Sequence, residues 1–199
     1  MIGLLGAHRT GKSTLCKELT NSHTNTLREL EVSISDMAKC LGYDSSKQDY
    51  SWEERKLLQE QLYTTFTIKL DSLPMSVLGT PLRISERTPL DLIGYAIINA
   101  PETMTESDKA WLSEYKDKCI QLTNAYYTAV FMLQPGIPYV ECETSFKEDT
   151  IDELNAVYLS VLLDPKLQTP CIVLPSNMLD LAERKQFIED NLHALSLAS

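Results

Sequence analysis

Basic residues are scarce in this chain. Eighteen Lys and Arg stand against twenty-eight Asp and Glu in 199 residues, a formal net charge of −10. Broad wrapping of nucleic acid is therefore excluded as a main activity, because such binding is driven by cations that neutralise phosphates. A local basic pocket is compatible with the balance. No apolar run approaches the roughly 20 residues that cross a bilayer, and no charged n-region precedes the first apolar segment. The expectation is a cytoplasmic protein with no membrane contact. Cys16, Cys40, Cys119, Cys142 and Cys171 form no Cys-x-x-Cys pair, and His8, His23 and His193 are dispersed. That pattern excludes a disulfide framework and a zinc site, and the cysteines read as reduced core or surface thiols. Glycine is also rare: there are seven, yet Gly3, Gly6 and Gly11 fall within the first eleven residues.

What is present is enough apolar material for a core, 43% of the residues apolar and 8% aromatic, and a rhythm of short apolar runs between longer helical patterns. That rhythm builds parallel sheets covered on both faces. Strands are expected at Ile2 to Leu5, Glu31 to Ser35, Leu82 to Ser85, Ala129 to Leu133 and Cys171 to Leu174. Helices are expected from Ser13, from Asp36 to a stop at Gly42, and from Ser51, where Glu54 completes a capping box and Leu58, Leu62, Phe66 and Leu70 recur on one face. Further helices follow Thr88, Pro89 and Asp91, then Thr105 and Asp108 with Trp111, Tyr115 and Cys119 in one stripe. Thr150 with Glu153 reads as the cap of a helix to Leu163, and Leu179 to Leu195 as a closing helix. The fold class expected is α/β, a doubly wound five-stranded parallel sheet with helices on both faces. In such sheets ligands sit at the carboxyl ends of the strands.

Gly6-Ala7-His8-Arg9-Thr10-Gly11-Lys12-Ser13-Thr14 follows the first expected strand and opens a helix, with two glycines five apart followed by Lys and Ser. This is the P-loop pattern. Gly6 and Gly11 permit positive φ, so that successive N–H groups converge on an anion at a helix N-terminus. Lys12 reaches the outer phosphates and Ser13 offers its hydroxyl to Mg²⁺, so the loop is expected to bind ATP with magnesium. His8 and Arg9 fill variable positions, and Arg9 fits either a phosphate contact or a solvated side chain.

A magnesium-bound triphosphate calls for a further carboxylate at the end of a neighbouring strand. Glu86 closes the Leu82 to Ser85 strand and Arg87 follows it. Glu86 is placed to hold a magnesium-bound water or orient an acceptor hydroxyl, and Arg87 to clamp a phosphate or acceptor oxygen with its fork. Asp36 admits two readings, a general base toward an acceptor hydroxyl or a helix N-cap with Lys39 as partner. Residues 135–149 occupy the place of a mobile lid. The only cation there is Lys147, and the segment holds no arginine, which leaves Arg55 or Arg87 to supply that charge. Tyr43, Tyr50, Trp52 and Tyr63 suit base stacking or ordinary packing.

Together, Gly6 to Thr14, Val32 to Lys39 ending at Leu41-Gly42, and Glu86-Arg87-Thr88-Pro89-Leu90-Asp91 resemble small P-loop kinases and ATPases of the nicotinamide-riboside-kinase-like type, many of them encoded by bacteriophages. The Glu-Arg-Thr step is similar to the Glu-Arg-Ser motif of deoxynucleoside kinases and the Asp-Arg motif of thymidylate kinases. The resemblance implies a P-loop NTPase fold and one kinase domain over residues 1–199. It implies that Lys12 and Ser13 bind ATP and Mg²⁺, that Glu86 lies at the metal or acceptor, and that Arg87 contacts the acceptor or transferred phosphate. Asp36 corresponds loosely to an acceptor-side carboxylate.

Three functions follow as expectations. The first is a kinase moving the γ-phosphoryl of ATP to a hydroxyl or monophosphate of a nucleoside-type small molecule. The second places the acceptor in DNA, as a hydroxymethylated pyrimidine. The third is a nucleotide-dependent switch or ATPase with little transfer. Oligomeric state is open, with a homodimer among the alternatives.

Overall fold

The computed structural model describes residues 1–22, 27–30, 32–43, 50–73, 82–138 and 148–198. Five parallel strands, β1 (Ile2–Leu5), β2 (Leu27–Leu30), β3 (Leu82–Ser85), β4 (Ala129–Leu133) and β5 (Cys171–Leu174), lie in the order β2-β3-β1-β4-β5. β1 occupies the centre, with Ile2 opposite Ile84 of β3 on one side and Ala129 of β4 on the other. β1, β3, β4 and β5 fall on the expected segments. The second strand does not: it covers Leu27–Leu30, not Glu31 to Ser35. Glu31 to Ser35 carries the alternating pattern, with Val32 and Ile34 apolar, whereas Leu27–Leu30 is apolar only at its two ends; pairing with β3, Leu27 opposite Leu82 and Leu30 opposite Ser85, selects the earlier segment all the same.

The two faces of the sheet are covered by different helices. In β4, Ala129, Phe131 and Leu133 point to a core shared with Leu15, Cys16 and Leu19 of α1 (Lys12–Ser22) and Ile188 of α7 (Leu181–Ala198). Val130 and Met132 point the other way, to the larger core with α2 (Ile34–Cys40), α3 (Trp52–Asp71), α4 (Pro89–Ile98), α5 (Glu106–Tyr126) and α6 (Glu148–Leu162). This is the period-2 alternation of a strand buried on both faces. Helix α4 is the most enclosed, with Pro89 through Ala96 all buried. It packs on α6 where Gly94 lies flush against the Tyr158 ring, leaving no space for a Cβ.

Local chemistry sets most helix starts. Ser51 Oγ accepts from Glu54 N–H while Glu54 Oε2 accepts from Ser51 N–H at 2.7 Å, and Thr105 with Asp108 repeats the device. Three starts differ from expectation. Asp36 is not the N-cap of α2: Ser33 is, its hydroxyl accepting from Asp36 N–H at 3.2 Å. Thr150 lies inside α6, which opens two residues earlier at Glu148. α7 opens at Leu181 because Asp180 Oδ1 accepts from the N–H groups of Ala182 and Glu183. The aromatic side chains take the packing reading: Trp52 meets Trp111 edge-on at 5.4 Å and Trp111 stacks on Tyr115 at 5.0 Å. No described helix is long and apolar enough to cross a membrane.

Candidate nucleotide-binding site

The loop between β1 and α1 is held closed by its own lysine. Lys12 Nζ donates to the carbonyls of Gly6 at 2.7 Å and Ala7 at 2.5 Å, and lies 3.3 Å from Thr10 Oγ1. Thr10 Oγ1 in turn donates to Ala7 O at 3.1 Å. Folding an ammonium across the loop requires unusual backbone angles, with φ of +153° at Gly6, +86° at Gly11 and +62° at Arg9. A Cβ at Gly6 would stand 2.5 Å from the Leu133 carbonyl at the end of β4. Arg9 is the one non-glycine with positive φ among the described residues, and such strain collects at functional loops. Ser13 and Thr14 lie exposed in the first turn of α1.

Lys12 is buried, 5% exposed. Burial, then the nearby Arg87 charge, brings its pKa down to about 7, while Asp91 and Glu86 act in the opposite sense. The loop lysine and the Glu86-Arg87 step therefore share one electrostatic environment, although 74 residues separate Lys12 from Glu86. Glu86 is half-buried at the carboxyl end of β3. Arg87 is partly buried and its Nη1 donates to Asp91 Oδ1 at 3.0 Å, the Asp91 side chain being fully enclosed. Asp91 Oδ2 also accepts from Thr88 N–H at 2.7 Å and Thr88 Oγ1 at 3.0 Å. The carboxylate thus serves the helix start and the arginine at once.

His8 joins the two regions, its Nε2 2.7 Å from Tyr95 Oη of α4. Burial, with Arg87 and Lys12 nearby, lowers the His8 pKa to about 3, so the ring is neutral near pH 7. Beyond His8 and Arg9 lies a cavity of about 300 Å³ bounded by Pro135 to Pro138 after β4 and by Ile151 and Asp152 of α6. Of residues 135–149, those numbered 139–147 lie outside the described residues, Lys147 included.

Asp36 is not brought to this site by any described contact. It is exposed, with Lys39 Nζ 3.8 Å away. Arg55 is committed elsewhere, donating to Tyr50 O at 3.1 Å and to Asn99 Oδ1. Of Arg55 and Arg87, it is Arg87 that lies in the electrostatic environment of the loop lysine. Sequence reasoning missed Arg184, a buried residue of α7 whose Nη1 donates to the loop carbonyl of Thr10 at 2.7 Å and whose Nε donates to Met178 O at 2.5 Å. The signal was a lone cation on the apolar stripe Leu181, Arg184, Ile188. Tyr95 and Tyr158 were missed too, being single hydroxyls in apolar helix faces.

The oxygen donors fit a magnesium ion carried in by a triphosphate. Ser13 offers a hydroxyl and Glu86 a carboxylate, hard ligands of the kind Mg²⁺ takes while keeping several waters. Among the described residues no group of three or more His, Cys, Asp or Glu forms a self-sufficient metal cage.

No protein-family model and no curated protein matches the chain. Solved structures do. Deoxyadenosine kinase from M. mycoides with bound dCTP is 16% identical, with 97% of this chain and 98% of that chain covered and a TM-score of 0.62. The NadR protein in complex with NR is 15% identical at a TM-score of 0.65, the match covering 98% of this chain and 50% of that one. Thymidylate kinase from Candida albicans is 12% identical over 97% of this chain and 90% of that chain, with a TM-score of 0.61. The shared property at these identities is architecture, and the chain has the α/β fold of P-loop nucleoside and nucleotide kinases.

Proposed function

We propose that the chain is an ATP-dependent phosphotransferase, moving the γ-phosphoryl group to a hydroxyl or monophosphate of a nucleoside-type small molecule. The observation that carries this reading is the convergence of Lys12, folded over the phosphate loop, with Arg87, Asp91 and Glu86 at the end of the adjacent strand. Structural neighbours with bound dCTP or NR make nucleoside-type acceptors the natural first choice.

Each residue has a distinct task in this reading. The N–H groups from Gly6 to Ser13 and the Lys12 ammonium grip the β- and γ-phosphates, exchanging the loop carbonyls for phosphate oxygens. Ser13 and Glu86 would hold the magnesium ion, which would neutralise charge on the phosphates. Arg87 carries five N–H donors and is anchored through Nη1 by Asp91, which leaves the rest of its fork for the transferred group or the acceptor. Glu86 orients the acceptor hydroxyl. The chemistry is positioning and charge stabilisation.

The test is ADP formation with a panel of nucleosides, deoxynucleoside monophosphates, NR and hydroxymethylated DNA. Stimulation by one of the small molecules supports the proposal. Stimulation by DNA alone moves the acceptor into nucleic acid, and tight ATP binding without stimulation by any of them favours a nucleotide-dependent switch.

A further inference from the structure

Phosphoryl transfer requires the loop and Arg87 to act together, yet they sit on separate elements and their cations repel. A continuous path joins them. His8, at the wall of the 300 Å³ cavity, meets Tyr95 Oη at 2.7 Å. Tyr95 lies one helical turn beyond Asp91 in α4 and within the electrostatic reach of Arg87, and Asp91 holds Arg87 Nη1 at 3.0 Å. The neutral His8 ring adds no charge and shuttles no proton near pH 7, so its contribution is positional. A further hydroxyl stands beside this path, unused. The Tyr158 hydroxyl, fully buried on a ring that lies against Gly94 of α4, next to Tyr95, has no hydrogen-bond partner among the described residues. Buried hydroxyls are ordinarily satisfied, and a coupled element needs two discrete arrangements.

We propose that His8 is a positioning residue that conveys the state of the phosphate loop through Tyr95 to Arg87, so that filling the loop aims Arg87. The inference rests on the nucleotide-binding reading above.

The experiment follows arginine Nε–Hε signals by NMR, with Arg87 assigned from its loss in Arg87→Lys. AMP-PNP with Mg²⁺ is added to the unaltered protein, to His8→Ala and to Tyr95→Phe, and its binding is measured in parallel by calorimetry. The Arg87 signal is expected to shift in the unaltered protein. In both variants AMP-PNP binds within about fivefold of normal while the Arg87 shift is lost, and kcat falls roughly tenfold with little change in KM for ATP. His8→Asn, which keeps a polar group facing Tyr95, recovers part of the shift. An equal shift in all three proteins overturns the relay and leaves nucleotide binding intact. Loss of AMP-PNP binding in Tyr95→Phe makes the pair merely structural and also overturns it. No binding to the unaltered protein overturns both readings.

Discussion

The β1–α1 loop and the Arg87 clamp share one electrostatic environment but are built in opposite ways. The loop is nine consecutive residues whose lysine is held by neutral carbonyls, partners that a phosphate can replace at little cost. The clamp is assembled from β3, α4 and the P-loop, and its arginine is held by a fully buried carboxylate, a partner that cannot be given up. An adaptable cation next to an anchored one is a sensible division for phosphoryl transfer: one side follows the phosphates, the other is aimed without leaving its anchor.

Asp91→Ala attacks the fixed side and has the largest expected effect. Removing one member of a buried ion pair strands the other, at a cost of about 3–5 kcal/mol. Denaturant unfolding should register that loss, and a change under about 1 kcal/mol would show that Asp91 is not what fixes Arg87. Gly6→Ala attacks the adaptable side through its backbone. With a Cβ 2.5 Å from the Leu133 carbonyl and φ at +153°, the loop must shift, for an expected loss of roughly 1–3 kcal/mol in thermal unfolding.

The contrast was half legible in the sequence. Everything carried by neighbouring residues could be read: the Gly6 to Thr14 loop, β1 in front of it, the Ser51–Glu54 and Thr105–Asp108 caps, and Glu86-Arg87 after β3. Asp91 was visible as a helix-start acid but not as the arginine's partner, a second role that only the turn of α4 creates. β2 is not legible in this way: Glu31 to Ser35 has the alternation of a strand and Leu27–Leu30 does not, so only the register against β3 reveals the earlier segment. The α6 start was misread because Thr150 and Glu153 have cap spacing, yet the helix opens two residues before them, at Glu148. His8–Tyr95 and Arg184–Thr10 span 87 and 174 residues, distances over which no local spacing rule operates.

Acidity separates the two sides more finely. Lys12, lowered to about 7 from 10.5, has released its proton in the folded protein at a pH where the unfolded chain keeps it. The fold is therefore penalised for burying this charge below pH 7 and relieved as pH rises toward 10.5. ATP binding restores the ammonium and takes up a proton, so affinity should weaken above pH 7, approaching roughly tenfold per pH unit. Calorimetry at pH 8 in buffers of different ionisation enthalpy reads that uptake, and its absence would mean Lys12 is charged already. The smallest effect belongs to Asp36→Asn. An exposed pair 3.8 Å apart contributes about 0–1 kcal/mol, so the unfolding midpoint should hardly move and turnover should change less than about twofold. A loss of two or more decades in kcat would instead place Asp36 among the groups that handle the acceptor's proton.

The central claim is that the β1–α1 loop grips a triphosphate with Lys12, and titration of AMP-PNP and Mg²⁺ into the unaltered protein and Lys12→Ala tests it most directly. The account predicts saturable binding to the first and affinity at least about 100-fold weaker in the second, the loss of close to 3 kcal/mol expected when a buried charge-assisted contact to phosphate is removed. Equal affinity in the two proteins would contradict it.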